Sequence, residues 1–520
     1  MVNSSGLKTF HLNLWQEFSK KSFIIQLIVV LFLVTYCRKL IFTCRPIVIF
    51  TILSAIISFP FLLQRPLYGI FAIIILTASF IDVQILPIIP FIVGSILSTD
   101  LLFAVLFLYI IGRKLYYKNF YRLDYPLVRT PIDIPIVFLC FAFLIGFING
   151  YFVGGEQFDF ELARRTFRSV IYYLLFFLIT NLVTNKKDLI LLIKGTFLIA
   201  LITSCVSIAQ QGLGTSLPLI FGRVETLKTM GFGGYAGVTR AIPPGLLFIY
   251  FSLITLICIA SSEGYEGSKP LLALQIIILG LGLIFSYYRN MWVTFFLSIL
   301  LFFSITTVRQ KLRMVLWVFL GVWAFIIIFL YTLNAPDNKV TRIVNATQDR
   351  MLSVFKVKAV KGAGSDTLRS RSVENEFAFK KIMKYPILGI GLGTRYKPVK
   401  RLLLRASPSD PQSIVTSYFL GGIMLHNSFL NIPLRFGLVG FIAFLWISAV
   451  FLVRGFRNWR KIKDPFFRAV CIGYTVSYVG TLITSNVDPF LTEWRGVIGI
   501  AIMWGTNEAI YRLEGIENKK

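Results

Sequence analysis

Long hydrophobic runs recur along the whole chain and are separated by short polar or basic segments. Three examples, residues 22–37, 46–63 and 271–288, each approach the length that crosses a bilayer. About a dozen such runs are far more than one soluble core can bury. The pattern therefore predicts an all-α polytopic membrane protein with about 12–14 transmembrane helices and both termini in the cytoplasm.

Clusters of Lys and Arg predict which helix ends face the cytoplasm, because cytoplasmic loops carry an excess of positive charge. The clusters lie at residues 112–129, 185–187, 309–313 and 454–463. Hydrophobic runs between two clusters must cross the membrane and return. The runs that fit this rule are 132–152 with 166–184, 189–211 with 241–260, a hairpin over 271–307, and then 314–333, 425–453, 466–484 and 494–511.

One polar segment, residues 334–424, is too long to be a simple connection between helices. The chain is therefore divided into a transmembrane helical region at 1–333, a large basic extracytoplasmic loop at 334–424 and C-terminal transmembrane helices at 425–520, all in one membrane-embedded domain. The loop holds 16 Lys and Arg but only six Asp and Glu. This excess predicts either attraction to anionic membrane lipids or a site for an anionic, phosphate-bearing substrate.

The loop is expected to contain short amphipathic helices. Residues 372–385 predict one of them, and Pro386 ends it. Its apolar positions share one stripe, formed by Val373, Phe377, Ala378, Ile382 and Tyr385. The GIGLG sequence that follows, residues 389–393, has no strand before it and does not predict a nucleotide site.

The overall charge and the cysteine content further limit the kinds of site that the protein can contain. The formal net charge of +29 exceeds what the positive-inside rule alone explains. The six cysteines are scattered without a CxxC spacing, so they predict neither a disulfide framework nor a metal site. No cofactor and no nucleic-acid partner are expected.

His426, one of only two histidines, opens the hydrophobic run that returns from the basic loop. Asn427 beside it can cap the helix or orient the imidazole. Two interpretations follow for His426. It is either a capping or interfacial residue, or a general base for a hydroxyl nucleophile at the membrane surface.

Arginines are predicted to converge on the same side of the membrane. Arg289 lies at the tip of the hairpin, where it either snorkels to the interface or contacts an anion. Arg240 lies where an external loop enters the next hydrophobic run, and Arg369 and Arg371 precede the amphipathic helix. Near a helix N-terminus, Arg371 would oppose the helix dipole unless an anion lay between them. Arginines with one histidine suit group transfer away from a phosphate leaving group.

These motifs resemble those of the O-antigen ligase and O-antigen polymerase family of bacterial membrane glycosyltransferases. HNSFLNIPLRFGLVG at 426–440 resembles the family's His-Asn-x-x-Leu and Gly-Leu-x-Gly signature. RSVENEFAFKKIMKYPILGIGLG at 371–393 resembles its Arg, Ala, Pro, Gly-x-Gly string, and FSYYRNMWV at 285–293 resembles its Ser-Arg motif. TRAIPPG at 239–245 is a fainter match.

The resemblance implies a donor glycan, oligosaccharide or polysaccharide, on a polyprenyl diphosphate in the outer leaflet of the bacterial cytoplasmic membrane. It implies metal-independent transfer with inversion to a glycan or lipid acceptor. His426 would deprotonate the acceptor hydroxyl, and Arg289 and Arg371 would hold the diphosphate. Arg240, Arg369, Asn427 and Arg435 are then candidate substrate-binding residues.

Three positions depart from the family pattern. Arg435 stands where the family often has Glu, Tyr288 replaces the common Ser before the arginine, and Asn375 replaces a common Trp. The change at Arg435 bears on the acceptor or the sugar rather than on the type of reaction.

Two readings of the reaction remain open, a polymerase that extends a lipid-linked chain and a ligase that moves a finished chain to a surface acceptor. The alternative from another class is a transporter or flippase for an anionic solute or lipid. Transport favours broken helices and charged groups at mid-membrane. It does not require a histidine at the end of a long external loop.

Overall fold

The computed structural model describes residues 64–81, 88–91, 94–122, 127–155, 158–228, 234–264, 267–315, 339–355, 363–397 and 425–516. Its contacts divide the chain into two compact units, Met1–Pro66 with Pro87–Ile89, and Leu67–Leu86 with Pro90–Lys520. The second unit contains all of the helices below. The hydrophobic runs predicted at 22–37 and 46–63 lie outside the described residues, as do 316–333 of the run predicted at 314–333 and 398–424 of the large loop.

Most of the described chain is helical, as the sequence predicts. The helices before the first long hairpin are α1 Leu67–Ala78, α2 Ser98–Tyr121, α3 Asp133–Gly154, α4 Phe160–Ile171, α5 Leu175–Leu182, α6 Lys186–Leu213 and α7 Leu246–Ser261. Those that follow are α8 Lys269–Phe285, α9 Arg289–Ile305, α10 Lys339–Phe355, α11 Ala363–Lys384, α12 Ser428–Asn458, α13 Pro465–Thr484 and α14 Trp494–Leu513. Single 3₁₀ turns at Tyr172–Leu174 and Trp459–Lys461 follow α4 and α12.

Four helices among the described residues are long and apolar enough to cross a membrane: α3, α6, α12 with its 3₁₀ turn, and α13. Four shorter apolar helices, α1, α7, α8 and α9, accompany them. These apolar helices indicate a membrane protein. The predicted hairpin over 271–307 is present as α8 and α9, which are separated at Ser286–Tyr288.

Two predicted spans differ from the structure. Residues 166–184 do not form one helix, because amphipathic α4 ends at Ile171 and a 3₁₀ turn separates it from α5. The span predicted from residue 241 begins only at Leu246. The residues before it belong to a hairpin of β3 Arg223–Lys228 and β4 Gly234–Ile242, in which Glu225 pairs with Arg240. Two further short strands, β1 Ile88–Phe91 and β2 Gly94–Leu97, precede α2.

The core is centred on α7, which is buried along nearly its whole length. It packs against α6, α8 and α13. A helix that is hydrophobic on every side requires neighbours all round it, so α7 is surrounded by other helices. The buried rings of Tyr173 and Trp504 stack with their centroids 5.3 Å apart and join the α4–α5 turn to α14.

Helix α12 is broken at Gly437, where φ is +63°. The break frees main-chain groups that would otherwise bond within the helix. The carbonyls of Leu434 and Arg435 instead accept hydrogen bonds from the amides of Ile390 and Gly391, at 2.8 and 3.1 Å. A segment from the large loop therefore supplies the missing donors.

The same segment also supplies the missing acceptors on the far side of the break. The amides of Leu438 and Val439 donate to the carbonyls of Pro386 and Ile387, at 2.8 and 3.4 Å. Residues 386–394, which we call the clamp segment, thus insert between two consecutive i→i−4 bonds of α12 and satisfy both sides. Because buried main-chain groups must be paired, this insertion stabilises the break.

The clamp segment also bonds to α3. The amide of Leu392 donates to the Gly146 carbonyl at 2.9 Å, and Asn149 Nδ2 donates to the Gly389 carbonyl at 2.8 Å. Gly391 adopts φ +75°, and a Cβ there would lie 2.1 Å from the amide nitrogen of Gly150. The GIGLG sequence is therefore a close-packed turn between α3 and α12.

Candidate functional site

Four parts of the chain bring polar side chains to one place. They are the start of α9, the middle of α11, the residues that precede α12, and the turn between α13 and α14. The first three are the parts that Arg289, Arg371 and His426 predicted. The fourth contributes Asp488, which no motif indicated.

Asp488 is 2% exposed and accepts hydrogen bonds from two side chains at the start of α9. The Tyr288 hydroxyl donates to Oδ1, and Asn290 Nδ2 donates to Oδ2 at 2.9 Å. Arg371 Nη2 lies 3.9 Å from Oδ1. Burial raises the pKa of the Asp488 carboxyl, although the hydrogen bonds and Arg371 act in the opposite direction. Asp488 therefore joins α9 to α11.

Ser428 fixes the first turn of α12 to the same turn as Asp488. Its Oγ donates to the Asp488 carbonyl at 2.8 Å, and its amide donates to the Ser485 carbonyl at 2.8 Å. The residues immediately before Ser428 are consequently held beside Asp488. The charge of His426 lies near enough to lower the pKa of that carboxyl.

His426 faces Glu374 on α11. Its Nδ1 lies 2.8 Å from Glu374 Oε2, and Lys397 Nζ lies 3.2 Å from Oε1 of the same carboxylate. The His426 side chain is 45% exposed and the Glu374 side chain only 13% exposed. The imidazole is therefore accessible while its carboxylate partner is largely covered.

Arginines from four elements surround this region. Burial lowers the pKa of the Arg289 guanidinium, and the charge of Arg371 lowers it further. Arg350 on α10 was not predicted as a site residue from the sequence. Burial, together with the charges of Arg240 and Arg289, lowers its pKa to about 10. Each of these groups costs less to bury beside an anion than beside another cation.

Arg240 on β4 pairs with Glu225 at 3.1 Å and lies over the ring of Tyr288, 5.9 Å from its centre. Its pKa is lowered by burial and by the charge of Arg223. Its Nε is buried and makes no hydrogen bond to any residue that the structure describes. The β3–β4 hairpin thus places this predicted arginine beside the start of α9.

The predicted setting of Arg371 is wrong. Helix α11 begins at Ala363, so Arg371 lies in its third turn and not near its N-terminus. Its charge is balanced by Asp488, and the predicted conflict with the helix dipole does not arise. Arg369 lies in the same helix, but the placement of its side chain is outside the described residues.

Arg435 contacts the clamp segment. It is 3% exposed, and its Nη1 donates to the carbonyls of Gly391, at 3.2 Å, and Thr394. The guanidinium therefore supports the clamp segment. Arg435, which departs from the family pattern, therefore makes a structural contact. Its role in binding the substrate stays a prediction.

Asn427 is the N-cap of α12, as its position predicts. Its Oδ1 accepts a hydrogen bond from the Leu430 amide at 3.2 Å. We expect Asn427→Ala to lower the free energy of unfolding by about 1 kcal/mol, because one helix-end donor loses its acceptor. Detergent unfolding measures this loss. Asn427→Asp should retain the stability, and equal stability of Asn427→Ala and the parent protein would contradict the capping role.

Glu374, Asp488 and Lys397 could not be predicted from the sequence for one reason. Each is a single charged residue without a spaced partner in the sequence. The only available signal for Asp488 was an acid beside the end of a hydrophobic run, where ionisable groups are often functional. Within the described ranges, no three His, Cys, Asp or Glu residues are grouped so that they could hold a metal ion.

Comparison with known families gives one match. Residues 274–445 match the model of the O-antigen ligase family, which confirms the resemblance found in the sequence. The match runs from α8 through α12 and includes Arg289, Arg371 and His426. A comparison with curated proteins found no match.

Proposed function

Because residues 274–445 carry an O-antigen ligase domain, we propose that this membrane protein transfers a glycan from a polyprenyl diphosphate carrier to an acceptor hydroxyl. Transfer takes place on the outer face of the bacterial cytoplasmic membrane, without a metal ion and with inversion at the sugar. At the level of the family, a membrane glycosyltransferase-like activity is implied by the domain itself.

The observation that carries the proposal is the position of His426 beside a group of arginines from separate elements. The arginines suit the two phosphates of the carrier, since guanidinium groups match phosphate oxygens and keep their charge. The histidine suits the acceptor, since an exposed imidazole can take a proton from a hydroxyl. Together these side chains can deprotonate the hydroxyl that attacks the anomeric carbon and stabilise the diphosphate that leaves it.

The proposed transfer needs only these residues and the two substrates, and every bond and proton in it is accounted for. His426 takes the proton of the acceptor hydroxyl as its oxygen attacks the anomeric carbon from the face opposite the diphosphate. The bond from that carbon to the phosphate oxygen breaks, and the carrier diphosphate leaves with the bonding electrons. Arg289 and Arg371 stabilise the charge that develops on it. Inversion follows from the single displacement.

Arg289 offers a direct test of the diphosphate contact. We expect Arg289→Gln to reduce transfer by about 10²- to 10³-fold, because a charge-stabilising group is lost from the transition state. The assay is the amount of glycan moved from the lipid carrier in membranes prepared from cells that express the variant. Arg309→Gln is the matched control, since Arg309 is an exposed arginine beyond the other end of α9. Equal loss in both variants, or none in either, would contradict the proposal.

The transporter alternative has one observation in its favour, the broken helix α12. Broken helices in transporters free main-chain groups for the solute. Here the freed groups at the break are bonded to the clamp segment. A transporter would move lipid-linked glycan without forming a new glycosidic bond, and the membrane assay above separates the two activities.

A further inference from the structure

The contacts of the Glu374 carboxylate are those of a residue that acts on a reaction through a histidine. Its carboxylate accepts from His426 Nδ1 at 2.8 Å on one oxygen and from Lys397 Nζ at 3.2 Å on the other. Both Glu374 and Lys397 have side chains that are only 13% exposed. The carboxylate is therefore held from two sides and has little contact with solvent.

The charge state of Glu374 follows from these neighbours. Burial alone would raise the pKa of its carboxyl, but the hydrogen bond and charge of His426, with Lys397, hold the pKa below its usual range. Glu374 is consequently ionised at neutral pH. An ionised carboxylate can only accept hydrogen bonds, so the proton between the two side chains must be carried by Nδ1 of His426.

We propose that Glu374 is a positioning residue that holds His426 with its proton on Nδ1 and its lone pair on Nε2, and that Lys397 holds Glu374 in place. The inference rests on the proposed function of His426 as a base. Nε2 then takes the proton of the acceptor hydroxyl, and the carboxylate of Glu374 stabilises the imidazolium that forms. Neither Glu374 nor Lys397 gains or loses a proton in the step.

The arrangement has a structural consequence as well. Glu374 lies on α11, Lys397 follows the clamp segment, and His426 precedes α12. A role limited to joining these elements would require the same Nδ1–H contact, but transfer would not depend on the tautomer. The tautomer of His426, measured together with the rate of transfer, therefore separates positioning for catalysis from simple cohesion.

The chain is well suited to this measurement because it contains only two histidines, His11 and His426. In full-length protein carrying His11→Gln and labelled with ¹⁵N-histidine, every imidazole signal belongs to His426. Protonated and unprotonated ring nitrogens have well-separated ¹⁵N shifts. At about pH 8, where an ordinary imidazole is neutral, we expect the proton on Nδ1 and none on Nε2.

The test compares two substitutions on α11. Glu374→Gln removes the charge that selects the tautomer, and its spectrum should move toward the Nε2-protonated form that free histidine prefers. Glu376→Gln is the matched control, because Glu376 is two residues away and its carboxylate bonds to Lys380 at 2.6 Å. The same nitrogen protonated in all three proteins would overturn the proposal, as would an equal change in both variants.

Transfer in membranes provides the second readout. We expect Glu374→Gln to lower the rate at least about 10-fold, since a base in the wrong tautomer cannot take the proton, and Glu376→Gln to leave it unchanged. Loss of Nδ1 protonation with full transfer activity would contradict the positioning role. If His426→Gln itself retained activity while the tautomer result held, the proposed function would fail and the contact between Glu374 and Nδ1 would stand.

Discussion

Replacing His426 with Gln is expected to abolish visible transfer of glycan. Removal of a general base reduces a rate by about 10²- to 10⁴-fold, and an amide cannot take a proton from a hydroxyl. The fold should be retained, since Asn427 and Ser428 still fix the start of α12. The measurement is a gel and mass profile of surface glycans and lipid-linked intermediates in cells whose only copy is the variant.

The profile also separates the two versions of the reaction. Long chains that remain on the lipid carrier would identify a ligase, and single repeat units on the final acceptor would identify a polymerase. His11→Gln, at the other histidine of the chain, is the control and should give the parental profile. A parental profile from folded His426→Gln protein would remove the base from the mechanism and favour the transporter.

The largest effect on stability is expected at Gly437. A Cβ there would lie 1.9 Å from the Ile387 carbonyl oxygen, and φ is +63°. We expect Gly437→Ala to lower the free energy of unfolding by about 3 kcal/mol or more, because backbone strain is added to the displacement of the clamp segment. Thermal unfolding and the elution profile of purified protein in detergent measure the change.

Gly280 in α8 is the matched control. A Cβ at this position would meet no atom within 4 Å. Gly280→Ala should therefore leave the protein as stable as the parent or stabilise it by about 0.5–1 kcal/mol, since Ala is the better helix residue. If the two alanine variants unfolded at the same temperature, the close packing of the clamp segment against Gly437 would be contradicted.

Several elements could be predicted from the sequence because they depend on local patterns. The length and hydrophobicity of residues 132–152 and 425–453 indicated α3 and α12. The apolar stripe over 372–385 and Pro386 indicated the end of α11. In each case the pattern repeats within the element itself, so no information about distant partners was needed.

The elements that could not be predicted depend on distant partners. The break of α12 is stable only because residues 386–391 supply its missing hydrogen bonds. The sequence of neither segment indicates that it pairs with the other. The β3–β4 hairpin was predicted only as an external loop, and its last residues, 241–242, were assigned to the start of the next hydrophobic run because 241–245 are apolar and contiguous with α7. Glu374 and Asp488 acquire their partners only after α11, α12 and the α13–α14 turn have packed together.

Glu374 and His426 are connected by two routes of very different length, one along the chain and one through the clamp segment. Along the chain the two residues are 52 positions apart, across most of the basic loop. Through main-chain hydrogen bonds the route runs down α11 to Pro386, across to Leu438, and back along one short stretch of α12. The distance between the Glu374 carboxylate and the His426 imidazole is therefore set by the short route through the clamp segment and not by the long route along the chain.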